Sequence, residues 1–200
     1  MNFSALSKYE MVRKGPATRG MKPLRQFRIG AIKKHEVGKK RWKCRNVVDG
    51  SMQQLSIQQS FAPVARNATI RMMLRLGAWL NAKVSSSDQR GAFLASDLPK
   101  DSRGEIEHVW LEPPPNFYAS DGVTYATGGA SSTHLIKLSS SVYGLKSAAN
   151  ILFKLTKRNL MKMGYQQSEH DDAVYLKFEE KTGRWLIAST WVDDHLYISS

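Results

Sequence analysis

An α+β fold is predicted by three features of the sequence. Short runs rich in β-branched and aromatic residues, each bounded by turn formers, recur from Gln26 to the carboxyl end. Two longer segments repeat apolar residues at helical spacing. Strand-like and helix-like stretches mix without any solenoid period, which argues against an array of repeats. A chain of 200 residues with 42% hydrophobic content can bury one sizeable core, or two small lobes sharing one.

Residues 1–23 are polar and basic around Gly15, Pro16, Gly20 and Pro23, and predict a flexible lead-in. Gln26 to Lys34 and Arg41 to Val48 read as an antiparallel hairpin turning at Glu36-Val37-Gly38, with a cationic exposed face. Phe61 to Arg66 leads through Asn67, a candidate helix cap, into a helix over Thr69 to Ala82. Ile70, Met73, Leu74, Leu76, Ala78 and Trp79 recur there at helical spacing. Lys83 to Asp88 predicts a strand ending on a carboxylate, followed by a turn at Gly91-Ala92 and the apolar pair Phe93-Leu94.

His108 to Leu111 is a short strand stopped by Pro113-Pro114-Pro115, and the Gly-, Ser- and Ala-rich stretch to Ser132 is an irregular loop. Leu135 to Leu138 is strand-like. Ala148 to Met163 predicts a helix with Ile151, Leu152, Leu155, Leu160 and Met163 on one face, ended by Gly164. Ala173 to Phe178, Trp185 to Val192 and Leu196 to Ile198 complete a sheet.

The formal net charge of +13 and a pI near 9.9 favour a polyanionic partner, with nucleic acid foremost. The charge is concentrated: in the first 45 residues only Glu10 and Glu36 oppose a long series of Lys and Arg. The single cysteine, Cys44, excludes an intramolecular disulfide and a cysteine-based zinc site, and suits a reducing intracellular compartment. No apolar run approaches the roughly 20 residues of a membrane span, so no membrane partner is expected. The amino terminus has no long apolar stretch of the kind a secretory signal carries.

Asp193-Asp194 is the most chemically pointed feature. Two adjacent carboxylates between the apolar runs Leu186 to Val192 and Leu196 to Ile198 repel one another and gain nothing from packing. At a hairpin tip they suit a divalent cation and metal-assisted phosphoryl chemistry. Read singly, the pair is also a solvated hairpin tip, and Asp88 after Ser85-Ser86-Ser87 is also a turn or cap residue.

The motif order carries a resemblance. Lys43-Cys44-Arg45-Asn46-Val47-Val48-Asp49-Gly50, Phe61-Ala62-Pro63-Val64-Ala65-Arg66, Asp88 through Ala92-Phe93-Leu94, Val142-Tyr143-Gly144-Leu145-Lys146 and Trp191-Val192-Asp193-Asp194 together resemble the copia-type reverse transcriptase of LTR retrotransposons, from about Arg28 onward. The resemblance implies a right-hand polymerase fold, with a fingers hairpin over residues 24–66 and an incomplete palm sheet with packed helices over 67–200. The thumb, connection segment and ribonuclease H domain of such polyproteins are expected to be missing, since the sequence stops six residues after Asp194.

The implied activity is RNA-directed DNA polymerisation by two-metal nucleotidyl transfer, with two Mg²⁺ ions, or Mn²⁺ in their place, roughly 4 Å apart. Asp88 and Asp193 would bridge the ions and Asp194 complete the cluster. Lys43 and Arg45 would meet the triphosphate, where a forked guanidinium suits phosphate oxygens. A solvated cationic strand is the other reading of that pair. Phe93 would lie beneath the incoming sugar and exclude a ribose 2′ hydroxyl, or else is an ordinary core residue.

Tyr143, Gly144 and Lys146 would line the nucleotide pocket and template strand, the glycine permitting close backbone approach. Implied partners are an RNA or DNA template with its primer, deoxynucleoside triphosphates, and the thumb and ribonuclease H domains. The implied location is intracellular: cytoplasmic, in retroelement particles, or nuclear. The alternative is a truncated, inactive fragment that still binds nucleic acid.

The chain departs from the family pattern at Trp191, usually Tyr, at Ser147 and Ala149, where Gln and Pro are common, and at Ala95-Ser96, where Asn-Gly is usual. His170-Asp171-Asp172 reads as a surface turn before a strand. His195 reads as a solvated or nucleic-acid-facing side chain that alternates away from the carboxylates.

Overall fold

A computed structural model describes residues 8–34, 38, 40–53, 55–114, 117–118, 125–126, 128–129 and 131–200. Among the described residues the strands and α-helices follow in chain order: β1 (Tyr9–Arg13), β2 (Gln26–Lys34), β3 (Lys40–Val48), α1 (Ile57–Ser60), α2 (Asn67–Trp79), β4 (Lys83–Asp88), β5 (Val109–Leu111), β6 (Phe117–Tyr118), β7 (Tyr125–Ala126), β8 (His134–Leu138), α3 (Ala148–Lys162), β9 (Gln166–Gln167), β10 (Val174–Glu179), β11 (Arg184–Trp191) and β12 (Asp194–Ser199). This mixed α and β content agrees with the class expected from the sequence. The chain divides into two compact units, Met1–Leu55 with Phe93–Ala148, and Ser56–Ala92 with Ala149–Ser200.

In the first unit β1, β8 and β5 form a three-stranded antiparallel sheet in that order, and β2 pairs with β3 over its whole length. β1 lies inside the segment whose composition predicts a flexible lead-in. All five of its residues pair with β8, and Lys14 N–H continues the ladder to Thr133 O at 2.8 Å. The prediction fails locally because Tyr9, Met11 and Val12 are apolar within a window dominated by charge, and the Gly and Pro residues begin only at Gly15. Leu111, Ile136 and Leu138 are fully buried in this unit, and Leu24, Val48, Leu98, Val142 and Leu145 are buried as well.

The β2–β3 hairpin falls where the alternating apolar pattern places it. Its turn includes Gly38 at φ +73°; Glu36 and Val37, the other residues assigned to that turn, lie outside the described residues. So do Pro115 and most of the loop expected before Ser132, within which β6 and β7 pair as a two-residue ladder.

The second unit is built on an antiparallel sheet of order β4-β12-β11-β10-β9. Strand alternation separates its two faces. On one, Ala65, Met73, Ala173, Val174 and Ile198 form a core joined by Ile70, Ala82, Trp185 and Ile187. On the other, Leu160 of α3 packs with Tyr175 and Ala188 and with half-buried Tyr165, Leu186 and Tyr197. α2 approaches the first face closely at Gly77, where an added Cβ would stand 3.1 Å from Ile198 Cγ2 and 3.6 Å from Val84 Cγ2.

α2 starts two residues earlier than its apolar spacing predicts. Asn67 is its first helical residue, not its cap; the N-cap is Arg66, whose side chain makes no capping bond. The acceptor comes from a distant loop. Asp171 Oδ2 accepts Arg66 N–H at 3.0 Å and Thr69 Oγ1–H at 2.7 Å, and Asp171 Oδ1 accepts Ala173 N–H at 3.2 Å. Asp171 is therefore a buried tertiary cap, and the reading of His170-Asp171-Asp172 as a surface turn is corrected for its middle residue. A carboxylate there both satisfies orphan donors and complements the positive end of the helix dipole.

Candidate functional site

Asp88 is the last residue of β4, and Asp194 is the first of β12. The antiparallel register sets them directly opposite each other, Asp194 against Asp88 and also against Trp191 of β11. Alternation puts both carboxylates on the face that carries Val84 and Ile198. A cleft of about 320 Å³ opens beside them, walled by Ala65, Ile70, Ser86, Ser189 and Trp191. Asp88 and Asp194 are exposed, and among the described residues neither these two nor Asp193 forms an ion pair with a basic side chain.

Asp193 sits one residue earlier, in the two-residue turn between β11 and β12. Its carbonyl accepts Gln89 N–H at 2.9 Å, which ties the turn to the residue following Asp88. Val192, the other turn residue, has φ +57°, a left-handed conformation that costs a β-branched residue about 1–2 kcal/mol. The tight two-residue connection is what holds Asp193 and Asp194 at the tip, and the strain at Val192 is part of its cost.

His195 alternates to the other face, as the sequence predicts, but it is half-buried, its ring 6.2 Å from that of Tyr197. Burial pulls the imidazole below its ordinary pKa, and the nearby Asp194 and Asp193 act in the opposite sense.

The remaining site candidates lie in the first unit. Lys43 and Arg45 share one face of β3, across from Ala31 and Ile29 of β2. The Arg45 guanidinium stands over the Tyr143 ring at 5.3 Å from its centroid, and Tyr143 meets Phe93 edge-on at 5.1 Å and 81°. Three of the residues singled out from the sequence thus form one continuous stack of cation, ring and ring.

Gly144 has φ +96°, and a Cβ there would overlap the Val48 carbonyl oxygen and stand 2.8 Å from Val48 N. Only glycine fits, because Val48 N–H donates to Tyr143 O at 2.8 Å and pins the loop against the end of β3. Lys146 is tied back to the same turn. Its Nζ donates to Ser51 O at 2.7 Å and Gln53 O at 3.1 Å, and its N–H donates to Gln53 Oε1 at 2.8 Å. In this arrangement Lys146 braces the Gly50–Met52 turn.

The profile of the family described as "Reverse transcriptase (RNA-dependent DNA polymerase)" matches residues 8–200. The chain belongs to that family. Similar sequences are the retrovirus-related Pol polyprotein from transposon TNT 1-94 of Nicotiana tabacum, 30% identical over 185 residues, covering 90% of this chain and 12% of the relative, and that from transposon RE1 of Arabidopsis thaliana, 26% identical over 158 residues, covering 78% and 10%. The polyprotein from transposon RE2 of Arabidopsis thaliana is 26% identical over 159 residues, covering 78% of this chain and 10% of the relative. The copia-type resemblance read from the motifs is borne out, and the match takes in β1 as well as the segment from Arg28 onward. The reverse transcriptase domain described here spans about a tenth of the length of these relatives.

Reverse transcriptases work with divalent metal ions. Asp88 and Asp194 fit such an ion: they supply hard oxygen donors on opposed strand positions, with no cationic side chain of the described residues neutralising them. Among the described residues no three Asp, Glu, His or Cys side chains converge into a complete cage. Among the described residues no helix is long and apolar enough to cross a membrane.

Two features escape the motif reading. The tertiary cap at Asp171 has no local sequence signal, because its partners Arg66 and Thr69 are about a hundred positions away. The short helix α1 does have one: Ser56 accepts Gln59 N–H while Gln59 Oε1 accepts Ser56 N–H, a capping box legible as Ser-x-x-Gln.

Proposed function

We propose that this domain performs RNA-directed DNA synthesis by nucleotidyl transfer, with Asp88, Asp193 and Asp194 as the metal-binding carboxylates and Mg²⁺ as the ion. The observation that carries the proposal is the register of β4 against β12. Like charges directly opposed in a ladder destabilise it, and such a pair is retained where a cation compensates. The bound ions supply activation of the primer 3′ hydroxyl and neutralisation of the triphosphate.

The chain's own groups do the rest. Lys43 and Arg45 carry the charge of the incoming triphosphate, and the Arg45–Tyr143–Phe93 stack holds the guanidinium in place. Phe93 takes the sugar and rejects a ribose 2′ hydroxyl by contact. Gly144 lets its loop close against the end of β3, which sets Tyr143 at the nucleotide pocket, and Lys146 fixes the adjacent turn. In this reading residues 24–66 are the fingers and 67–200 the palm, the substrates are deoxynucleoside triphosphates on a primed RNA or DNA template, and thumb and ribonuclease H regions of a longer polyprotein complete the enzyme inside the cell.

Primer extension on an RNA template with Mg²⁺ tests the proposal. Extension by the parent, abolished in Asp88→Asn and in Asp194→Asn, is expected. Template bound by all three proteins with no extension by any would instead favour a nucleic-acid-binding role without catalysis.

A further inference from the structure

Helix α2 carries more apolar surface than its packing uses. Its buried stripe is Met73 and Gly77, with Ile70 half-buried beside them, meeting the sheet at Ile198 and Val84. A surface helix of a globular domain ordinarily turns polar residues to the other side. On α2 that side keeps Met72 63% exposed and Trp79 81% exposed. Ala68, Arg71, Met72, Arg75, Leu76 and Trp79 lie side by side on this open face of the helix. Their spacing of three, one, three, one and three residues makes a single stripe along the helix.

Two cations punctuate the stripe. Arg71 and Arg75 are one turn apart and exposed, α2 contains no Asp or Glu, and neither arginine pairs with a carboxylate among the described residues. Exposed Trp and Met side chains set among unpaired guanidinium groups have the composition of an interface more than of a solvated helix face.

We propose that the outer stripe of α2 docks an amphipathic helix of a partner polypeptide, one whose apolar ridge is bordered by Asp or Glu. Trp79 supplies a large rigid anchor, Met72 an adaptable contact, and the two arginines form forked bonds to carboxylates at the edge of the ridge. The 13 residues of α2 span about 20 Å, enough for a helix-against-helix contact of three to four turns.

A second copy of this chain fits poorly. A two-fold contact would set the stripe against itself and bring arginine against arginine in a protein already at +13. Nucleic acid would satisfy the arginines but leave Ala68, Met72 and Leu76 facing phosphates. The inference stands apart from the catalytic reading, since none of these residues belongs to the carboxylate or nucleotide-binding sets.

The test uses the 200-residue chain and a fluorescent helical peptide of about 16 residues, with leucines on one stripe and glutamates on its borders. A second peptide carries lysine in place of each glutamate, and binding is followed by anisotropy. The glutamate peptide is expected to bind at least about tenfold tighter than the lysine peptide, and to weaken as salt is raised. Arg71→Glu with Arg75→Glu should reverse that preference, the milder Arg75→Gln should reduce it, and Trp79→Ala should weaken both peptides. Equal binding of the two peptides, no binding of either, an unreversed preference in the double variant, or full displacement by an oligonucleotide of about 20 nucleotides would overturn the proposal. So would a dimer in sedimentation that the double variant abolishes.

Discussion

Replacing Asp88 by Asn removes one of two like charges that face each other across β4 and β12. Directly opposed residues in an antiparallel ladder have Cα atoms about 4.5–5.5 Å apart. Two unit charges about 5 Å apart in a water-like medium repel by about 0.8 kcal/mol, within the range of about 0.2–1 kcal/mol for cross-strand pairs. Both carboxylates are exposed, so the water-like value is the appropriate one. Without divalent ions Asp88→Asn should therefore melt about 2–3 °C above the parent.

Magnesium reverses the order. For a site with a Kd near 1 mM, about 10 mM Mg²⁺ stabilises the parent by about 1.4 kcal/mol through linkage and the variant by much less. Scanning fluorimetry with and without Mg²⁺ reads both effects without any need for catalysis. A variant that melts below the parent in the absence of metal, or an equal gain from Mg²⁺ in both proteins, would refute the reasoning that the pair is kept for a cation.

Three further outcomes are expected. Asp171→Asn should cost about 1–3 kcal/mol at neutral pH by weakening a buried charged cap of α2, measured by urea denaturation. Burial alone would raise the Asp171 carboxyl, but the bonds from Arg66 N–H, Thr69 and Ala173 N–H, with the Arg66 charge, hold it below its usual value. Its contribution is thus complete above the unfolded value of about 4 and is lost as pH falls through the folded value, so the gap between parent and variant narrows in acid. Gly144→Ala should lower the melting temperature of the first unit and loosen nucleotide binding together, since a Cβ would displace Val48 from Tyr143; an unchanged melting curve would contradict that geometry. Phe93→Ala should raise ribonucleotide incorporation relative to deoxynucleotide, by about tenfold if the lost contact is worth about 1.4 kcal/mol, and unchanged sugar selectivity in an active domain would rule out the assigned role.

Local chemistry alone determined much of this protein. The strand from Lys83 to Asp88, the β2–β3 hairpin and the helix beginning at Ala148 fall where period, propensity and breakers place them, because those signals act within a few residues. The Asp193-Asp194 pair stands out in the sequence because an Asp pair between two apolar runs has no packing explanation, and the structure places it at the β11–β12 turn. Only the tertiary structure decided that Asp194 stands opposite Asp88, that Asp171 caps α2 from a hundred positions away, and that Arg45, Tyr143 and Phe93 stack together. Strand register and side-chain contact between distant segments are set by the summed burial of whole faces, a quantity that no window of sequence contains.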